Sequence, residues 1–327
     1  MVAGAVCFIF IFLASLVSVS AGEGAASQPI EAFTTLGINN VTHRAHSSPP
    51  TQIDVVTLAV RGDFHVLFGQ QGLLTFVRHI ANIRSITIVG VGADLPRIRA
   101  EVYNNTVGVP IHFVDETFFK RKYKHVLRAA YSKVFQQLIK LHIFEIGWLL
   151  PSVLIVDSDT AWSRDVQFVY AAPDLRVVYY GQHSESGACN GMDPTNWIGT
   201  LLPPRCKIVN CQNRHILHHM VFQRDVMAHL HREVTAKWNA TSLWESVYLC
   251  WRYHPECRGR VSEYEAYYQF ASIYYPERII DRYLSPREIV VSSGNCTVAE
   301  MNKCRQNHVL LKGCHSHLVG QHWRGLC

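Results

Sequence analysis

From residue 53 to residue 157 the chain alternates short, continuously apolar runs with stretches of helical spacing, and this alternation restricts the fold more than any other feature. Residues 53–60, 85–91, 111–114 and 152–156 are rich in Val and Ile and too short for buried helices. Between them, residues 67–80, 95–102 and 126–146 repeat apolar positions at helical spacing, as in Val134, Leu138, Leu141 and Phe144. A strand that returns parallel to its neighbour needs a crossover, usually a helix, and a strand without polar alternation is buried on both faces. The pattern therefore predicts an α/β fold with a Rossmann-like, mostly parallel sheet covered by helices. Hydrophobic residues make up 48% and charged residues 17%, which excludes a disordered chain.

Cysteine usage divides the sequence. None lies between Cys7 and Cys189, and nine lie from Cys189 onward. The first half thus rests on its own core, while the second, irregular and rich in His, Tyr and Trp, is read as stapled by disulfides. Nine is odd, so at least one stays unpaired or pairs between chains; Cys206–Cys211, Cys250–Cys257 and Cys296–Cys304 are the local pairs that proximity suggests. Cys206, Cys211 and His215 also have a loose resemblance to zinc ligands, but the spacing is atypical and an oxidising compartment favours disulfides.

The compartment is read from the N-terminus. Residues 2–19 are almost continuously apolar, and Val19-Ser20-Ala21 places small residues at the offsets of a signal-peptide cleavage site. No Lys or Arg precedes the run, and about 18 apolar residues also approach a membrane span, so residues 1–21 read as a signal peptide or as an N-terminal anchor. Both readings place Gly22 onward in the secretory lumen, with the Golgi as the expected site and the endoplasmic reticulum or secretion as the alternatives. Residues 22–52, rich in Ala, Ser, Thr and Pro, read as a flexible stem, and residues 53–327 as the catalytic domain. Sequons at Asn40, Asn104, Asn239 and Asn295 agree with that compartment. The net charge of +6 is mild, and no basic stripe is clustered as nucleic acid binding requires; Arg121, Lys122 and Lys124 read as a solvated loop.

The chemistry is expected at Asp157-Ser158-Asp159, directly after the fourth strand. Ligands of such sheets bind outside the carboxyl ends of the strands. In an extended segment, side chains two apart face the same way, so both carboxylates project into one cleft. Two such charges need a cation, and oxygen ligands suit Mg²⁺ or Mn²⁺, which would clamp a diphosphate. The competing phosphatase reading of Asp-x-Asp needs Thr or Val two residues after the second Asp, where this chain has Ala161. A binding protein that keeps the fold without turnover is the other alternative.

The helix residues Gln136-Gln137-Leu138-Ile139-Lys140-Leu141, the strand end Asp157-Ser158-Asp159 and the later Ser262-Glu263-Tyr264-Glu265 resemble, in order and spacing, a largely uncharacterised family of GT-A-type glycosyltransferases. The resemblance runs from about residue 53 to 322. It implies a GT-A-like fold whose irregular second half faces an acceptor. It implies transfer of a sugar from a nucleotide-sugar, with a UDP-sugar expected, to a hydroxyl of a glycan or glycoprotein, with Mn²⁺ or Mg²⁺ at Asp157 and Asp159. The metal site would be completed by His315 on a late strand, with His317 in reserve. Thr57, Arg61 and Asp63, after the first strand, would meet base and ribose. Gln137 and Lys140 would share a helix face toward the donor, Lys140 against phosphate, and His218 or, preferred here, His219 would lie by the sugar. Glu263 would be the general base of an inverting reaction. Ser262 and Glu265 fit a helix-capping box, which leaves Glu263 free at a helix N-terminus, where the dipole would lower its pKa. Arg61-Gly62-Asp63 also spells the integrin tripeptide, a reading discounted because it follows a buried strand.

Overall fold

The computed structural model describes residues 51–59, 64, 67–68, 72–104, 108–121, 132–170, 175–183, 195–204, 206, 213–214, 218–257, 262–284, 288–292, 302 and 311–314. All of them belong to the unit Thr35–Cys327. The leader, the stem and three of the four sequon stretches lie wholly or partly outside the described residues. No helix among the described residues is long and apolar enough to cross a membrane.

The alternation resolves into β1 (Ile53–Ala59), α1 (Gly72–His79), β2 (Ile83–Gly90), α2 (Leu95–Asn104), β3 (Ile111–Asp115), α3 (Ser132–Leu141) and β4 (Ser152–Asp157). After β4 come β5 (Thr160–Trp162), β6 (Val169–Tyr170), β7 (Arg176–His183), α4 (Thr195–Leu201), β8 (Asn213–Arg214) and β9 (His219–Gln223). Three longer helices follow: α5 (Arg224–Trp238), α6 (Leu243–Tyr253) and α7 (Glu263–Tyr274). The last strands are β10 (Ile279–Leu284), β11 (Ile289–Ser292) and β12 (Leu311–Cys314).

The main sheet has the order β3-β2-β1-β4-β9. Its first four strands are parallel, and β9 closes the edge antiparallel to β4. β1 sits in the middle, and every one of its residues is buried, as continuous apolarity requires. Its one charge, Asp54, is 0% exposed. That carboxylate accepts hydrogen bonds from the Arg84 guanidinium, from Ser85 Oγ at 2.7 Å and from the Leu150 amide at 2.7 Å. A buried charge persists only when paired and hydrogen-bonded, so Asp54 ties the amino ends of β1 and β2 to the turn before β4.

Two smaller sheets lie beyond the first: β10-β7-β6, with β8 on β7, and β11-β12-β5. Helix α7 packs on α3, α5 and β9, so the aromatic stretch that follows Ser262 is core. Tyr264, Tyr267 and Phe270 are all buried, and Tyr267 hydroxyl accepts from the Gln223 amide at 2.8 Å.

Some expected boundaries shift. The first helix, expected over 67–80, is described as α1 over Gly72–His79, and residues 69–71 lie outside the described residues. The long helix expected over 126–146 is described as α3 and ends at Leu141, with a 3₁₀ turn over Ile143–Glu145; residues 126–131 lie outside the described residues. The cause is visible at His142, whose amide is shared between the Leu138 and Ile139 carbonyls, a tightening typical of helix ends. Cys250 and Cys257 form a disulfide, as proximity suggested. Cys206 does not follow suit: it is a free, buried thiol, pushed up to about 11 by burial. Cys296 and Cys304 lie outside the described residues.

Candidate metal centre

Asp157 is the last residue of β4, and its neighbour across the edge is β9, with Val156 opposite His219. One residue earlier, His218 has a φ of 25°, and its carbonyl accepts from the Asp157 amide at 2.7 Å. That left-handed backbone is rare for a residue with a side chain and is tolerated where surrounding structure over-determines it. It sets the His218 ring beside the two aspartates. His218 Nδ1 lies 3.4 Å from Asp157 Oδ2 and 3.7 Å from Asp159 Oδ1. One ligand atom from each of the three residues falls within 4.8 Å of the others. Two carboxylate oxygens and one imidazole nitrogen at the carboxyl end of a parallel sheet form a group that could hold a metal ion.

Behind this trio stands a buried ionic network. Lys140 Nζ donates to Asp157 Oδ1 at 2.7 Å and to Glu263 Oε1 at 2.6 Å. Tyr264 hydroxyl donates to the same Asp157 Oδ1 at 2.9 Å, and Lys140 Nζ stands 4.3 Å over the Tyr264 ring. Burial works against each charge, but the pairing decides the outcome for two of them. Burial would raise Asp157, yet the Lys140 ammonium and His218 hold it well below the usual carboxylate range. Burial would lower Lys140, yet Asp157 and Glu263 push it well above its ordinary value. For Glu263 burial prevails: its pKa is raised, against the pull of Lys140.

Most of the sequence-derived residues can now be placed. Asp157 and Asp159 do converge; Lys140 reaches Asp157 from 17 residues away along the chain, and Glu263 reaches Lys140 from 123 residues away. Lys140, expected against phosphate, is engaged by two carboxylates. Glu263 is 3% exposed with Oε1 held by Lys140, whereas a base for an acceptor hydroxyl needs an accessible oxygen. The lowered pKa expected from the helix dipole is reversed by burial. Ser262 does cap α7, its Oγ accepting from the Glu265 amide at 3.3 Å. Thr57 Oγ1 and Gln137 Oε1 are buried with no hydrogen-bond partner among the described residues. His219, preferred over His218 from the sequence, packs its ring against Trp162, Phe168 and Tyr180, with neither nitrogen hydrogen-bonded among the described residues. Burial pushes it down to about 3, so it is neutral. Arg61, Asp63 and His315 lie outside the described residues. Cys314, just before His315, ends β12, and β12 pairs with β5, which starts one residue after Asp159.

His218 and Tyr264 are the site residues that sequence reasoning underrated. Tyr264 sits inside the Ser-Glu-Tyr-Glu motif, between the two carboxylates that carry the capping and base readings. His218 and His219 are adjacent at the start of β9, and the strand register of His219 together with the left-handed backbone of His218 decides which ring meets the aspartates.

No family model matches the chain, and no curated protein matches it. Among solved structures it is similar to mouse xyloside xylosyltransferase 1, at 9% identity over 81% of this chain and 98% of that one, with a TM-score of 0.44. It is also similar to the bifunctional glycosyltransferase WbbM, at 12% identity and a TM-score of 0.41, over 85% of this chain and 47% of that chain. A third is the galactosyltransferase LgtC in complex with donor and acceptor sugar analogs, at 12% identity over 80% of this chain and 87% of that chain, with a TM-score of 0.42.

Proposed function

We propose that this chain is a metal-dependent glycosyltransferase that moves a sugar from a nucleotide-sugar, a UDP-sugar by preference, to a hydroxyl of a glycan or glycoconjugate. The observation that carries the reading is the convergence of Asp157, Asp159 and His218 within 4.8 Å at the carboxyl end of β4. A bound Mn²⁺ or Mg²⁺ would neutralise charge on the departing diphosphate. The chain's own residues do the positioning. Lys140 and Tyr264 hold Asp157 Oδ1 from behind, which leaves Oδ2 on the side of His218 and Asp159. The unpartnered Thr57 hydroxyl and Gln137 carbonyl support their assignment to the donor, since a buried polar atom is costly until something pairs with it. Arg61 and Asp63 keep their assignment to base and ribose, and His315 its place as a further ligand, supported by the pairing of β12 with β5 beside Asp159.

Inversion with Glu263 as base is one stereochemical reading; the burial of Glu263 favours a second, transfer without an enzymatic base. The anomeric configuration of the product distinguishes them. The Cys250–Cys257 disulfide supports folding in the secretory lumen, with residues 1–21 as leader or anchor. A thermal-shift screen of nucleotide-sugars tests the function. A ligand that binds only the folded state must raise its stability. The expected result is a rise in melting temperature with one nucleotide-sugar that requires Mn²⁺ and is lost in Asp159→Ala. Identical melting curves with and without Mn²⁺ for every donor contradict the proposal.

A further inference from the structure

We propose that Glu263 is a positioning residue of the metal centre, acting through Lys140 on the ligand Asp157, rather than the base that meets the acceptor. The proposal rests on Asp157, Asp159 and His218 being the metal ligands. Its ground is a chain of contacts: Glu263 Oε1 to Lys140 Nζ at 2.6 Å, and Lys140 Nζ to Asp157 Oδ1 at 2.7 Å. Tyr264, the next residue of α7, donates its hydroxyl to the same Asp157 oxygen at 2.9 Å and lies under Lys140. The Ser262 cap anchors the first turn of α7, so both contacts arise from one fixed piece of backbone.

Two consequences follow for the ligand. The first is geometric. Asp157 Oδ1 receives two hydrogen bonds, and turning the carboxylate away from this orientation would break both. Oδ2 is thereby kept toward His218 at 3.4 Å, on the side where the three ligand atoms gather. Groups that hold a ligating carboxylate from behind tune metal affinity, and their loss typically costs about 10- to 100-fold. The second is electrostatic. Among the described residues, Asp157, Asp159 and Glu263 as carboxylates against Lys140, with His218 neutral as a ligand, sum to two negative charges, which one divalent cation neutralises. Without the Glu263 charge, Lys140 answers to Asp157 alone and the site keeps a single negative charge for a doubly charged ion.

Mn²⁺ binding to the full chain, followed by electron paramagnetic resonance or calorimetry without any donor, tests this independently of turnover. Glu263→Gln is expected to weaken Mn²⁺ binding about tenfold or more. Glu263→Asp, which keeps the charge, is expected to retain more of the affinity. Glu265→Gln, in the same turn but bonded to Gln269 instead, is expected to leave Mn²⁺ affinity unchanged, which separates the relay from mere disturbance of α7. Wild-type affinity in Glu263→Gln overturns the proposal. Should that variant fail to fold, Tyr264→Phe reads the same Asp157 oxygen, and unchanged Mn²⁺ affinity there overturns it. A wild-type chain that binds no Mn²⁺ sinks the metal reading itself, a different failure from this one.

Discussion

At the scale of single residues, Lys140 is the cation on which the interior charge of the site balances. Its side chain is 11% exposed and bridges two carboxylates. Removing one partner of a buried ion pair leaves uncompensated charge and typically costs about 3–5 kcal/mol. Lys140→Met is therefore expected to lose stability on that scale in urea denaturation, even though Met fills a similar volume. A loss below about 1 kcal/mol would mean that the network is solvated. The sequence points to Lys140 but not to its partners. The family resemblance turns the Lys140 face toward the cleft, yet Glu263 stands 123 residues away, and nothing local connects the two. The same limit applies to His218, whose ring direction depends on a left-handed backbone at the strand edge.

Among the elements, α7 joins the site to the second sheet. Its first turn carries Glu263 and Tyr264, and one turn on, Tyr268 hydroxyl donates to both oxygens of Asp281 in β10, at 2.9 and 3.0 Å. Asp281 is largely exposed, and its partial desolvation beside Tyr268 raises its pKa, which the Tyr268 hydrogen bond pulls back only partly, so its effect on stability is small. The sign follows from linkage. A carboxyl raised in the folded state contributes most below its ordinary value near 3.8, and that contribution is lost as pH rises through the raised value. Asp281→Asn removes this dependence. Its stability relative to wild type, read from denaturant midpoints at pH 4 and pH 7, is expected to improve at the higher pH; a constant difference contradicts the assignment. The strands and their order of appearance were legible because apolar runs report burial on both faces directly. The end of α3 and the antiparallel edge β9 were not. The first is decided by amide sharing at His142, and the second by pairing between segments far apart in sequence.

On the scale of the whole molecule, the two ends of the main sheet hold two different ionic networks. Asp54, Arg84 and Leu150 lock the amino ends, while β4 delivers Asp157 to the carboxyl ends, where β9, α3 and α7 bring His218, Lys140 and Glu263. The Asp-x-Asp pair was readable because it directly follows an unmistakable strand. Its neighbours were assembled by tertiary packing, which a motif does not encode. If this arrangement is a transferase centre, the purified chain releases UDP from a UDP-sugar in a reaction that requires Mn²⁺, and Asp159→Ala abolishes it while keeping the wild-type fold by circular dichroism. Release that proceeds equally without Mn²⁺, or survives Asp159→Ala, would contradict the account.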